Sequence, residues 1–103
     1  MNLIERALAG EKLTDYEWKA LAYSDDDFDD IEQTWEYVDT QYGDNHRWQR
    51  EMLTVIKYKD KYYGITWMGG LTESIENEFY GSKIFEVEKV PVTTYEWRMK
   101  NAN

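Results

Sequence analysis

The stretch WQREMLTVIKYKDKYYGITWM, residues 48–68, decides the fold class. From Trp48 to Lys59 the chain alternates, with Met52, Thr54, Ile56 and Tyr58 on one side and Leu53, Val55 and Lys57 on the other. A period of two is the signature of a strand, and Val, Ile, Thr and Tyr are the residues that favour one. Lys59-Asp60-Lys61 reads as a hairpin turn and Tyr62 to Met68 as the returning strand, ended by Gly69-Gly70. Upstream, Thr34, Trp35, Tyr37, Val38, Thr40 and Tyr42 predict a strand over 31–42, with Gly43-Asp44-Asn45 as the turn that follows. The result is a meander of three antiparallel strands.

Working outward, the N-terminal residues predict helices. Leu3, Ile4, Ala7 and Leu8 have the spacing of one buried stripe in a helix over 2–9, and Gly10 is a stop. Thr14 and Glu17 form a capping box, Asp15 suits the positive end of the helix dipole, and Leu13 and Trp18 suit a hydrophobic staple. The second helix runs to Tyr23 and buries Trp18, Leu21 and Ala22. Residues 71–81 read as a loop with one turn of helix. Residues 84–99 read as one or two strands around Val90-Pro91, with Thr93, Tyr95 and Trp97 alternating, and Pro91 at an edge or bend because it cannot donate to a ladder. The expectation is one α+β domain over 1–103: a helical arm over 1–23 and an antiparallel sheet of three to five strands within 31–99.

Charge is distributed unevenly. The formal net charge is −9, and SDDDFDDIEQTWEYVDTQYGD, residues 24–44, holds nine carboxylates with no Lys or Arg. The remainder balances 12 acidic against 12 basic residues. The five aspartates Asp25, Asp26, Asp27, Asp29 and Asp30 repel one another and favour a loop, here around Phe28 as anchor. Five Trp, nine Tyr and three Phe set the chain apart from disordered acidic tails, which lack aromatics. The absence of cysteine excludes disulfides, thiolate zinc sites and a cysteine nucleophile. No apolar run approaches the roughly 20 residues of a membrane span. Glu5 and Arg6 interrupt the apolar stretch that a signal peptide would need, so the expected location is the cytoplasm of a bacterial cell.

Several stretches together resemble a set of small acidic accessory proteins encoded by phages and prophages of low-GC Gram-positive bacteria. They are Gly43-Asp44-Asn45-His46-Arg47-Trp48, Lys61 to Trp67, and Gly70-Leu71-Thr72-Glu73 with Glu76, Glu78 and Phe79. Phe85-Glu86-Val87-Glu88, Tyr95-Glu96-Trp97, Met1 to Ile4 and Glu11 to Thr14 are similar as well. The resemblance covers most of the chain, and the block Asp25–Asp30 matches it least. Such proteins neighbour anti-CRISPR and other anti-defence proteins, many of them small, acidic and without enzymatic activity. The resemblance therefore implies a setting more than a mechanism.

Few residues are arranged for catalysis. His46 is the only histidine, the serines lack a nucleophile-elbow context, and no glycine loop is built to cradle phosphate. Asp25, Asp27 and Asp29 with Glu36 have positions 1, 3, 5 and 12 of an EF-hand loop, but Asp30 stands where that loop needs Gly. No metal or cofactor is expected, and no enzymatic activity. The acidic segment remains as a binding surface, with Asp25, Asp26, Asp27, Asp29, Asp30, Glu32, Trp35 and Glu36 as its contacts. Glu32 and Glu36 fall on one face of the expected 31–42 strand and Asp39 on the other. Duplex DNA carries one charge per about 1.7 Å, so a row of carboxylates can imitate its edge.

The expected function is inhibition of a host defence nuclease, a CRISPR effector above all, by occupying its basic nucleic-acid channel. A solvated face that serves only solubility is the competing reading. Further alternatives are an aromatic pocket that sequesters a nucleotide signal, and a structural or assembly module that dimerises through the C-terminal strand edge. Direct nucleic-acid binding is not expected, although Arg47, Arg50, Lys57, Lys59 and Lys61 cluster near the middle hairpin. No membrane partner is expected.

Overall fold

Two capping boxes start two short helices in the computed structural model, which describes residues 1–25 and 27–91 together with Lys100. Helix α1 spans Leu3–Leu8: Asn2 accepts from the Glu5 amide at 2.9 Å, and the Glu5 carboxylate takes the Asn2 amide in return. Leu3, Ile4 and Ala7 are buried, whereas Leu8 faces solvent. Helix α2 spans Asp15–Tyr23 and starts at the expected Thr14–Glu17 box, with reciprocal bonds of 3.1 and 2.9 Å. It buries Ala20, Leu21 and Ala22, while Trp18 is only half-buried.

Glu17 also ties the helices together. Its carboxylate accepts from Arg6 Nη1 at 2.7 Å, and Arg6 Nε lies 3.3 Å from Glu11. The Thr14 backbone N–H holds Glu17 below its usual pKa near 4.5; Arg6 adds to this and burial opposes it. The fold thus favours the charged carboxylate, so Glu17 contributes stability above its ordinary pKa and loses it as pH falls through the lowered one. Urea titrations should find Glu17→Gln less stable than the wild type at pH 7, with the difference shrinking as the pH falls below the ordinary carboxylate range. A difference independent of pH would contradict this linkage.

The sheet is a four-stranded antiparallel meander in the order β1-β2-β3-β4, with β1 at Glu36–His46, β2 at Gln49–Tyr58, β3 at Lys61–Gly70 and β4 at Ile84–Val87. The alternation in 48–68 gives β2 and β3 with their register, from Gln49 opposite Gly70 to Tyr58 opposite Lys61. Thr54, Ile56, Tyr58, Tyr63 and Ile65 turn to the helices and form one core with Leu3, Ile4, Leu13, Leu21, Trp35 and Phe79. At its centre Thr54 is fully buried; its hydroxyl donates to the Ala22 carbonyl at 2.9 Å and accepts from Trp67 Nε1 at 3.0 Å. That pair of bonds joins the last turn of α2 to the middle of the sheet.

Several boundaries differ from expectation. The first strand begins at Glu36 rather than Ile31, because Trp35 is drawn into the core and the chain before it stays in a loop. Gly43-Asp44-Asn45 is not the turn: the strand absorbs these residues in a register shift between Tyr42 and Asn45 and runs on to His46. Arg47 and Trp48 make the turn instead, with Arg47 at φ 55°. Strand β3 continues through Gly69-Gly70. At Gly70 a Cβ would lie 1.9 Å from the Ile75 carbonyl oxygen, so only glycine lets the 71–78 loop close onto the strand. That loop has one tight turn, Ile75 N–H to the Thr72 carbonyl, and bridges back through Met68 and Glu78. Of the expected C-terminal strands, β4 is seen, and the alternation of Thr93, Tyr95 and Trp97 lies outside the described residues. Among the described residues no helix is long and apolar enough to cross a membrane.

Candidate interaction surface

The acidic loop is pinned at both ends and in its middle. Ser24 caps α2 in the left-handed region at φ 50°, and its hydroxyl donates to the Leu21 carbonyl at 3.0 Å. The same hydroxyl accepts Trp35 Nε1 at 2.9 Å, so the residue before β1 is fastened to the end of α2. Between these points Phe28 packs against Tyr16 and Tyr23, with ring centroids 5.0 and 6.3 Å apart, and Ile31 rests on the core. With the apolar side chains turned inward, the carboxylates are left outside.

Asp25, Asp27, Asp29, Asp30 and Glu32 are all exposed, and Asp26 lies outside the described residues. Asp25 accepts from the Asp27 amide at 3.1 Å, which shapes the turn. Asp30 accepts from the Tyr16 hydroxyl, fixing the loop against the first turn of α2. Tyr16 responds to this environment: the bond to Asp30 first, then burial and the charges of Asp30 and Asp29, raise its phenol above the usual value. Among the described residues, none of these carboxylates lies in an ion pair with Lys or Arg; the ion pairs present are those of Arg6, His46 and Lys61.

Three sequence expectations for this surface are corrected. Trp35 is 4% exposed and belongs to the core, so it holds the loop rather than touching a partner. Glu32 sits in the loop and not in a strand, so it shares no strand face with Glu36. The register shift between Tyr37 and Asp39 brings Glu36 and Asp39 to the same side of the sheet, opposite Lys57 and Val55 respectively. The expected single row of carboxylates is thus two groups: the loop on the helical layer, and Glu36 with Asp39 on the far face of the sheet.

The basic residues also divide. Arg47 lies over Trp48 at 5.9 Å and Arg50 over Tyr42 at 5.2 Å, at the β1–β2 turn. Lys57 lies over Tyr62 at 5.9 Å and Lys59 over Tyr58 at 5.3 Å, at the other end of the sheet. Arg50 and Lys57 stand seven steps apart along β2, about 23 Å at 3.3 Å per residue. Each of these four cations lies over an aromatic ring, and among the described residues no continuous cationic groove joins the two ends. His46 is exposed beside the turn and pairs with Glu51. Among the described residues no three acidic or histidine side chains converge on a point where they would hold a metal ion.

A surface missed by the sequence reading is the far face of the sheet. Leu53, Val55, Tyr62, Phe85 and Val87 meet there, with Phe85 43% exposed and the others half-buried. Its signal lay in the opening stretch: Leu53 and Val55 make both sides of β2 apolar, where a strand solvated on one side would alternate with polar residues.

No protein-family model matches this chain, and neither a curated protein nor a solved structure is similar to it.

Proposed function

We propose that this chain works by binding rather than by chemistry, and that its acidic loop is the contact for a basic, nucleic-acid-handling protein. The observation that carries this reading is the loop itself: exposed carboxylates without described cationic partners, on a backbone held by Trp35, Phe28 and Asp30. A loop that served solubility alone would need no such fastening. Preorganised charge of one sign speeds encounter with a surface of the other and limits the entropy lost on docking.

The resemblance to phage accessory proteins supplies the setting, a bacterial cytoplasm and a host defence nuclease whose channel is lined by Lys and Arg. A CRISPR effector is the specific form of this proposal. The nucleotide-sequestering alternative gains less support, because among the described residues the larger groove on the sheet is lined by Glu51 and by no Lys or Arg.

A pull-down from nuclease-treated bacterial lysate tests the reading. It compares the wild type with a variant carrying Asn at 25, 26, 27, 29 and 30. Expected is a nucleic-acid-handling protein captured by the wild type alone and released by moderate salt. Equal capture by both would make the loop a solvated face.

A further inference from the structure

Arg50 and Met52 stand on the face of β2 that carries Thr54, Ile56 and Tyr58 into the core, but both are only half-buried. A groove of ≈ 340 Å³ opens there, lined by Tyr42, Arg50, Met52, Trp67, Leu71 and Asn77 with the backbone of Gly69 and Gly70. Gly69 lies opposite Arg50, and a Cβ on it would meet Met52 at 3.0 Å and Trp67 at 3.6 Å, so a larger residue would fill the groove. The Leu71 amide donates to the Trp48 carbonyl at 2.9 Å and ties that wall to the β1–β2 turn. Arg50 is held in place from two sides. Its guanidinium lies over the Tyr42 ring at 5.2 Å, and its Nε donates to Asn45 Oδ1 at 2.9 Å. A guanidinium has four further N–H donors on its Nη edge, and among the described residues none of them has an acceptor or an ion-pair partner. Asn77 is already committed: its oxygen accepts from the Gly70 amide and its nitrogen donates to the Tyr23 hydroxyl, both at 2.8 Å.

We propose that this groove binds a carboxylate carried on an apolar or aromatic body. The two oxygens take the Nη edge of Arg50, and the body rests on Met52, Trp67 and Leu71. A planar fork matches a carboxylate with two parallel hydrogen bonds, and a guanidinium stacked on a ring and fixed at Nε loses little freedom in making them. The groove stands at the small end of ligand sites, which suits one aromatic acid or one terminal residue of a peptide. Charge favours a monoanion. One guanidinium neutralises a carboxylate, whereas a phosphate dianion would keep a charge near Asp44, beside Asn45, and near Glu76 and Glu78, on either side of Asn77.

The test titrates the full chain with phenylacetate, its neutral amide and benzyl phosphate, read by NMR. Phenylacetate should shift the Met52 methyl and Trp67 indole resonances and bind at least about tenfold more tightly than the amide. Benzyl phosphate should bind more weakly than phenylacetate. Arg50→Gln should bind the acid no better than the amide, and Arg50→Lys, which keeps the charge and loses the fork, should also fall below the wild type. A Gly-Gly-Phe peptide with a free C-terminus, set against its C-terminal amide, separates the two sources. Tighter binding of the free-acid peptide than of phenylacetate assigns the groove to a protein C-terminus, and the reverse assigns it to a small acid. Equal binding of acid and amide by the wild type would overturn the proposal without recourse to any variant. So would shifts that miss Met52 and Trp67, a preference for benzyl phosphate, or full binding by Arg50→Gln. None of the residues involved belongs to the acidic loop, so this proposal and the proposed function fail separately.

Discussion

Replacing Trp35 by Ala is expected to cost about 3–5 kcal/mol, the range for truncating a buried Trp. Trp35 belongs to the same core cluster as Leu21 and Ile56, and its indole N–H is the clasp that brings β1 back to Ser24. Truncation leaves a cavity, removes the donor that the Ser24 hydroxyl accepts and releases one end of the acidic loop. In a domain of this size each kcal/mol moves Tm by about 4–8 °C, so the melting point should fall by more than about 12 °C. Trp35→Phe keeps most of the apolar volume and loses the donor, and should cost less than half as much. Calorimetry on the two variants checks this, and equal losses would show that packing around Trp35 matters less than its hydrogen bond. A partner bound through the loop should also lose affinity in Trp35→Phe although no contact residue is changed.

Thr54→Val is expected to cost about 2–4 kcal/mol despite its nearly unchanged shape. The hydroxyl is fully buried and serves two partners, the Ala22 carbonyl and Trp67 Nε1. Valine leaves the Ala22 carbonyl and the half-buried Trp67 indole without this partner, and each orphaned buried group costs about 1–3 kcal/mol. The damage should centre on the end of α2, where Ala22 stands two residues before the cap at Ser24. Thr54→Ser retains the hydroxyl and gives up one methyl, for about 1 kcal/mol. Urea unfolding compares the two: Ser more stable than Val is the predicted order, and the reverse would mean that apolar packing, not the hydrogen bonds, makes Thr54 necessary.

Much of the architecture was legible because local and tertiary preferences agree. The alternation of 48–68 is followed by β2 and β3, and the Thr14–Glu17 box starts α2 where the sequence places it. The Asn2–Glu5 box was equally readable and would have set the first helix boundary. What escaped was decided by long-range contacts. Trp35 has strand propensity, yet Ser24 and the core capture it and delay β1 to Glu36. Gly43-Asp44-Asn45 has turn chemistry, but pairing with Met52 and Arg50 on β2 carries the strand past it. The same register shifts explain the candidate site. A period-two reading assigns Glu36 and Asp39 to opposite faces, and one extra residue at Val38 reverses that parity. The loop of aspartates could be placed from sequence; the fastening by Tyr16 and Ser24 could not, since both partners are distant in the chain.

We propose that the acidic loop occupies a site built for nucleic acid. Once a partner has been captured, the direct measurement is competition: association of the chain with that partner in the presence of the partner's own nucleic acid, over a range of salt. The account predicts mutual exclusion, an on-rate that falls steeply with ionic strength, and a further loss of about tenfold or more in on-rate for the five-Asn variant. Simultaneous binding of chain and nucleic acid, with an on-rate indifferent to salt and to the aspartates, would contradict it.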